Sequence, residues 1–208
     1  MFSSPSHLAL IITAAGESSR MGTPKGLVTI DQMPLLQSHV ENFRAAFPLA
    51  TIILVLGHHI LPYQHLVNHL QTPQLIIAIN EEYHRGHFSS IATGVSVALE
   101  HQMDHLFLMP IDLPPLPPSL FQDLYEQRVG HWVVKPRYHR RAGHPIFLQK
   151  NVMELIAQSD PLEGRLDLLL RSVPLDKIYW HDCTVAEIGI NLNTPQALDA
   201  YINTRKIK

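Results

Sequence analysis

The segment LALIITAAGESSRMGTPKGL, residues 8–27, passes from an apolar run into a loop of small residues that ends in two cations. Residues 8–13 are apolar or β-branched and predict a buried strand. The small residues 14–16 follow at once and let the backbone approach a ligand closely. Arg20 and Lys25 can neutralise phosphates, the first through a planar fork and the second as a point charge. The segment therefore predicts a strand, a tight loop and an anion-binding group.

The spacing of this loop differs from two common phosphate-binding motifs. In G-x-x-x-x-G-K-[ST] the lysine directly follows the second glycine, whereas Lys25 lies three residues after Gly22. The G-x-G-x-x-G pattern is also absent from this loop. A small-residue loop after a strand can be an ordinary tight turn. The two added cations favour phosphate binding.

The rest of the chain alternates between apolar strands and helices of amphipathic spacing. The pattern predicts strands at 51–57, 75–80, 105–110 and 131–136 and helices at 34–47, 60–70, 89–100 and 119–128. Such alternation indicates an α/β fold with a mostly parallel sheet covered by helices on both faces. Beyond residue 137 the pattern is looser, with a strand in 143–148, helices near 150–158 and 163–171, a strand near 175–180 and a helix after Pro195. Nothing divides the chain, so we expect one domain over residues 1–208.

Composition narrows the class of protein. The formal net charge is −2 with no long run of one sign, which argues against nucleic-acid and membrane-surface partners. The apolar run at 8–13 is too short to cross a membrane and lacks a basic leader, so we expect a cytoplasmic location. Cys183 is the only cysteine, and the 14 histidines are scattered, which we interpret mostly as surface and loop positions.

Two further segments contain candidate functional residues. Asp112 follows the apolar strand at 105–110 and is either a turn residue or a Mg²⁺ ligand. Because both follow parallel strands, Asp112 and the 14–27 loop are expected at the same sheet edge. In YHRGHFSS, Gly86 precedes a helix for which Ser89 and Ser90 are the capping candidates. The free N–H groups of that helix end could bind an anion, or the serines could simply cap it.

Five segments in the same order resemble the molybdenum cofactor nucleotidyltransferases, closest to the cytidylyltransferase branch. They are AAGESSRMGTPK (14–25), RGHFSSIATGV (85–95), MPIDLPPL (109–116), RAGHPIFL (141–148) and INLNTPQAL (190–198). The first is similar to the L-A-A/G-G-x-S-x-R-M-G-x-x-K signature of that family, and the resemblance extends from residue 8 to about 201. It implies a three-layer Rossmann-like, GT-A-type fold, with a nucleotide-binding half (1–136) and an acceptor-binding half (137–208).

The resemblance also implies a reaction and its residues. A CMP moiety would pass from CTP to the phosphate of a molybdopterin-type cofactor with Mg²⁺, and pyrophosphate would leave. The implied catalytic residues are Arg20, Lys25 and Asp112, and the implied metal ligands are Asp112 and Asn193. The implied nucleotide-binding residues are Thr13, Ala14, Ala15, Gly16, Gly86 and Ser90, and the implied acceptor-binding residues are His144 and Arg165. Arg140 and Arg141 could attract an anionic acceptor or form a solvated turn. A molybdenum hydroxylase or a chaperone is the implied client.

Departures from the family pattern leave alternatives open. Ala15 favours CTP, because its Cβ narrows the base pocket, whereas Asn191 and Asn193 replace two aspartates of cytidylyl-transferring members. Thr13 stands where the signature has leucine, and the segment 159–165 has altered spacing. The alternatives are guanylyl transfer from GTP, transfer to another phosphorylated acceptor such as a sugar phosphate, and a non-catalytic module that hands over the cofactor.

Overall fold

A central eight-stranded sheet organises the protein in the computed structural model, which describes residues 7–70, 72, 74–161 and 163–205. The strands of the described part are β1 (Leu8–Thr13), β2 (Thr29–Ile30), β3 (Met33–Pro34), β4 (Thr51–Leu56), β5 (Leu75–Ile79), β6 (His105–Pro110), β7 (Val133–Tyr138), β8 (Arg141–Ala142), β9 (Ile146–Gln149) and β10 (Ile178–Asp182). The helices are α1 (Leu35–Ala46), α2 (Ile60–Leu70), α3 (His87–Glu100), α4 (Pro118–Glu126), α5 (Lys150–Gln158), α6 (Leu166–Leu169) and α7 (Pro195–Arg205). Strands β2 and β3 form a separate two-stranded ribbon.

The sheet is mostly parallel, as the alternating pattern predicts. The strand order is β10-β7-β9-β6-β1-β4-β5, with β8 paired to β7. The strands β5, β4, β1 and β6 are parallel, β10 is parallel to β7, and β9 runs antiparallel to both β6 and β7. The reversal at β9 has a local cause. The chain leaves β7 at Tyr138 and returns at Ile146, which leaves too few residues for the crossover that a parallel strand needs.

Helices cover both faces of the sheet. Successive residues of the buried strand β1 point to opposite faces, so each face presents apolar side chains to a layer of helices. Leu10 and Ile12 belong to the cluster that includes Phe43 of α1 and Phe121 of α4. Ile11 belongs to the opposite cluster, with residues of α3 and α5. The strands are therefore apolar throughout rather than alternating, which explains why their positions could be predicted. No helix in the described part of the chain is both long and apolar enough to cross a membrane.

The start of α3 corrects one prediction. The helix begins at His87, after Gly86 with φ of 109°, and not at Ser89 or Ser90. Both serines are buried within the first turn, and their hydroxyls accept hydrogen bonds from the Asn80 amide at 2.9 and 3.0 Å. They fasten α3 to the end of β5 and do not cap it.

Gly94 lets α3 lie close to the sheet. A Cβ atom there would lie 2.9 Å from side-chain methyl groups of Ile11 and Val55. Helix packing on β1 and β4 therefore explains this glycine.

Candidate active site

A cavity of about 230 Å³ opens at the edge of the sheet where β1 and β6 end. Its lining residues are Thr13, Ala14, Ala15, Gly16, Ser18, Lys25, Tyr83, Gly86, His87, Ser90, Pro110, Ile111 and Asp112. They include every residue for which the sequence predicts nucleotide binding. The expectation that the 14–27 loop and Asp112 share one edge is confirmed. This cavity is called the loop cavity below.

Backbone hydrogen bonds hold the small-residue loop against the neighbouring strand. The Ala14 N–H donates to the carbonyl of Val55 at 2.8 Å, and the His58 N–H donates to the carbonyl of Ala15 at 3.1 Å. Further along, the Lys25 N–H donates to the Ser18 hydroxyl at 3.4 Å. The loop therefore arches over the end of β1 and returns Lys25 to the cavity wall.

Lys25, Asp112 and Asn193 form a polar cluster, of which Lys25 and Asp112 line the loop cavity. The Lys25 ammonium donates to Asp112 Oδ2 at 3.1 Å and also to Asn193 Oδ1. The Leu192 N–H donates to the Asp112 carbonyl at 2.7 Å, which brings the 190–194 segment beside the end of β6. The side chains of Lys25 and Asp112 are 19% and 15% exposed, so water screens this ion pair only partly. Asn191 is exposed, so only one of the two asparagines of this segment faces the cluster.

One carboxylate oxygen of Asp112 has no partner in the part of the chain that the structure describes. The buried Oδ1 atom makes no hydrogen bond to any of these residues, although a buried acceptor without a partner is unfavourable. No group of three or more His, Cys, Asp or Glu side chains suited to a metal occurs among the residues that the structure describes. A cation here would therefore need phosphate and water oxygens besides Asp112 and the Asn193 amide oxygen. Mg²⁺ accepts such a ligand set, so the residues fit it.

Two buried side chains support this cluster from behind, and the sequence reasoning missed both. His39 of α1 donates from Nε2 to the Ile111 carbonyl at 3.4 Å, and burial lowers the pKa of His39 to about 4. The Tyr63 hydroxyl of α2 accepts the Gly26 N–H at 2.9 Å, and burial raises the pKa of Tyr63 to about 12. His39 lies at helical spacing between the apolar Leu36 and Phe43, a signal that could have revealed its burial.

A second cavity, of about 410 Å³, adjoins the first and is called the α6 cavity below. It is lined by Arg85, Gly86, His87, Phe88, Ile91, Glu163, Gly164, Arg165, Leu166 and Asp167. Arg165 therefore lies near the site but outside the loop cavity, with its guanidinium donating to both carboxylate oxygens of Asp167 at 3.1 and 3.0 Å. These hydrogen bonds lower the pKa of Asp167.

His87 lines both cavities and was also missed. Its Nε2 atom lies 3.0 Å from the Thr13 hydroxyl at the end of β1. Desolvation lowers the pKa of His87; the charge of Asp112 opposes this effect and that of Lys25 adds to it. In the sequence His87 is one of fourteen scattered histidines, so only the fold distinguishes it.

Four other residues that the sequence analysis singles out do not line either cavity. Arg20 is exposed and makes no hydrogen bond or ion pair with any residue that the structure describes. His144 lines neither cavity; it donates from Nδ1 to the Leu108 carbonyl at 3.3 Å, and burial lowers its pKa to about 4. Arg140, in the turn between β7 and β8, and Arg141, in β8, are both exposed.

Comparison with known proteins identifies the family to which this site belongs. Residues 10–176 match the family described as the MobA-like NTP transferase domain. The chain belongs to this family. It is therefore a nucleotidyltransferase, and the family resemblance predicted from the sequence is confirmed.

Individual relatives cover almost the whole chain. The protein is 28% identical over 202 residues to the molybdenum cofactor cytidylyltransferase of Escherichia coli strain K12, with 97% of each chain covered. The structure of 4-diphosphocytidyl-2C-methyl-D-erythritol synthase from Anaerococcus prevotii has a TM-score of 0.76 at 13% identity, covering 97% of this chain and 96% of that one. A manganese complex of Rv0371C from Mycobacterium tuberculosis has a TM-score of 0.70 at 17% identity, covering 95% and 99%. The two structures confirm the predicted Rossmann-like fold.

Proposed function

We propose that this nucleotidyltransferase transfers CMP from CTP to the phosphate of a molybdopterin-type molybdenum cofactor in a Mg²⁺-dependent reaction. The observation that carries the proposal is the sheltered Lys25–Asp112–Asn193 cluster beneath the small-residue loop. The Lys25 ammonium and the Asp112 oxygen that has no partner among the described residues support the proposal of a triphosphate and a metal at this cavity. The choice of acceptor is supported by the relative from Escherichia coli, which is named for this activity.

The chemistry needs no covalent enzyme intermediate, because the acceptor phosphate is itself a nucleophile. An oxygen of that phosphate attacks the α-phosphorus of CTP, the bond from the α-phosphorus to the bridging oxygen breaks, and pyrophosphate leaves with the electron pair. The protein contributes positioning and neutralisation of charge. In this scheme Lys25 exchanges Asp112 for an oxygen of the transferred phosphate, and the exposed Arg20 turns towards the leaving phosphates.

The metal has a defined place in the proposal. Asp112 and the Asn193 amide would hold Mg²⁺, which when bound supplies positive charge to the phosphate oxygens. Once Lys25 moves to the nucleotide, both Asp112 oxygens and the Asn193 oxygen become available. The manganese complex of a structural neighbour supports a divalent cation in this fold.

The base and the acceptor would occupy different parts of the site. Ala15 is 5% exposed at the wall of the loop cavity, and its Cβ favours a pyrimidine over a larger purine there. We assign the acceptor to the α6 cavity, which the 163–167 segment of the second half of the chain helps to line. Its Arg165 could exchange Asp167 for an acceptor oxygen. A cytoplasmic location and delivery to a molybdenum hydroxylase complete the proposal.

The test is pyrophosphate release from CTP and molybdenum-loaded molybdopterin, measured for matched pairs of variants. Lys25→Ala and Asp112→Ala should each lower the rate at least 100-fold, the order expected when a group that stabilises transition-state charge is removed. Asp104→Ala and Lys150→Ala, which disrupt an exposed ion pair of 3.8 Å outside the cavities, serve as controls and should change it less than twofold. Equal rates for the two pairs of variants would show that the assigned residues do not catalyse the reaction.

A further inference from the structure

The position of His87 between the two cavities suggests a role in recognising the acceptor. Among the described lining residues, only Gly86 and His87 are common to the loop cavity and the α6 cavity. If the nucleotide occupies one cavity and the acceptor the other, the attacking phosphate and the α-phosphate meet where the cavities join. Gly86 has no side chain, so His87 provides the side chain at that junction.

A hydrogen bond fixes which nitrogen of His87 faces the junction as a donor. The Thr13 hydroxyl is almost fully buried, and its one partner among the described residues is His87 Nε2 at 3.0 Å. A buried hydroxyl proton without an acceptor is unfavourable, so Thr13 donates and Nε2 accepts. In a neutral imidazole the ring proton then resides on Nδ1.

The Nδ1–H group is free to bind a ligand. It makes no hydrogen bond to any side chain or backbone group in the part of the chain that the structure describes. Desolvation lowers the pKa of His87, which favours the neutral ring with this single donor. A lone N–H at the meeting point of two anion-binding spaces suits one phosphate oxygen.

We propose that His87 is a specificity-determining residue that donates its Nδ1–H to an oxygen of the acceptor phosphate, and that Thr13 positions it. This inference rests on the proposed function in requiring a phosphorylated acceptor. It does not depend on which group the phosphate carries or on the identity of the base.

Three substitutions separate acceptor binding from a merely structural role. In His87→Asn, the amide nitrogen can take the place of Nδ1 and donate to the acceptor phosphate. In His87→Gln, the amide lies nearer the position of Nε2 and can keep only the contact with Thr13. His87→Leu keeps neither the phosphate contact nor the Thr13 contact. We expect His87→Leu and His87→Gln to raise the KM for molybdenum-loaded molybdopterin at least tenfold, with the KM for CTP unchanged within twofold. His87→Asn should remain within threefold of the unchanged protein. Rescue by glutamine rather than asparagine, or equal changes in both KM values, would overturn the proposal.

A spectroscopic measurement keeps the inference testable if molybdopterin is not the acceptor. In protein labelled with ¹⁵N-histidine, the His87 signals should show protonated Nδ1 and unprotonated Nε2. Inorganic phosphate, added with CTP and Ca²⁺ in place of Mg²⁺, should shift the Nδ1 signal of His87 but not that of the exposed His84. Absence of turnover with molybdopterin together with this shift would contradict the proposed function and support the role of His87. If the Nδ1 signal of His87 does not shift when phosphate is added, the proposed role of His87 is contradicted.

Discussion

Asp112 has two carboxylate oxygens in unequal surroundings. Oδ2 accepts a hydrogen bond from Lys25, whereas Oδ1 is buried and has no partner among the residues that the structure describes. An unsatisfied buried acceptor costs about 1–3 kcal/mol, and a cation bound to that oxygen would relieve this cost. This arrangement supports the proposal that a metal binds here together with the phosphates.

Replacement of Asp112 by asparagine should separate metal binding from nucleotide binding. In the unchanged protein we expect Mg²⁺ to increase the affinity for CTP about tenfold, which corresponds to about 1.4 kcal/mol. Asp112→Asn removes the negative charge, so its affinity for CTP should be nearly independent of Mg²⁺. Titration calorimetry with and without Mg²⁺ measures both values. An equal Mg²⁺ effect in the two proteins would place the metal elsewhere.

The hydroxyl oxygen of Tyr63 should contribute to the stability of the fold. Its hydroxyl satisfies the Gly26 N–H beside Lys25, and Tyr63→Phe leaves that donor buried and unpaired. We expect the free energy of unfolding to fall by about 1–3 kcal/mol in a denaturant titration. Tyr179→Phe, at a half-buried tyrosine of β10, is the control and should change it by less than about 0.5 kcal/mol. Similar values for both variants would contradict the importance of this hydrogen bond.

At the scale of elements, the contact of α3 with the sheet depends on a missing side chain. Gly94→Ala would bring a Cβ within 2.9 Å of Ile11 and Val55. Overpacking of this kind typically costs about 1–3 kcal/mol, which outweighs the gain of about 1 kcal/mol that alanine brings to a helix interior.

We therefore expect Gly94→Ala to lower the free energy of unfolding. The substitution Ser96→Ala, at an exposed position of the same helix, is a matched control without this contact and should be nearly neutral. Thermal or denaturant unfolding of the two variants distinguishes the effects. A more stable Gly94→Ala variant would mean that α3 can move away from β1 and β4 without cost.

The elements that could be predicted are those whose signal is local. Strands β1, β4 and β6 are apolar throughout because both of their faces are buried, and α1 carries its apolar residues at helical spacing. The short connection after β7 explains the antiparallel direction of β9, but its place in the sheet depends on pairing with residues 105–108 of β6. No local pattern reports that Ser89 and Ser90 bind Asn80 instead of capping the helix.

The candidate site likewise contains residues that the sequence predicts and contacts that it does not. Lys25 and Asp112 both follow predicted strands, so the rule that parallel strands end at one edge of the sheet predicts that they lie close together. The short contact of Lys25 with Asn193 needs the 190–194 segment to return to β6, which sequence spacing does not indicate. His87 and His39 differ from the other histidines only in what surrounds them.

At the scale of the whole molecule, buried histidines should make stability depend on pH. Burial lowers the pKa of His39 to about 4 in the folded chain, whereas the ordinary histidine pKa of 6.5 applies in the unfolded chain. The unfolded chain therefore binds a proton that the folded chain does not, and stability falls as pH drops from about 6.5 towards 4. Between pH 7 and pH 5 this one residue should remove about 2 kcal/mol.

Urea unfolding at pH 7 and pH 5 checks this value. His39→Gln cannot titrate, so the difference in unfolding free energy between the two pH values should be smaller by about 2 kcal/mol in the variant. The variant's lower stability at pH 7, from lost packing, does not affect this difference. An identical pH dependence in both proteins would show that His39 is not buried as a neutral ring.

Cytidylyl transfer to a molybdopterin-type acceptor, at the site beneath the small-residue loop, is the activity that we propose for this protein. The most direct measurement offers the protein equimolar CTP and GTP with Mg²⁺ and molybdenum-loaded molybdopterin, and identifies the product by mass spectrometry. We expect a product carrying CMP, with pyrophosphate released in equal amount. A product carrying GMP would contradict the role assigned to Ala15, and no dinucleotide product with either triphosphate would contradict the proposed reaction itself.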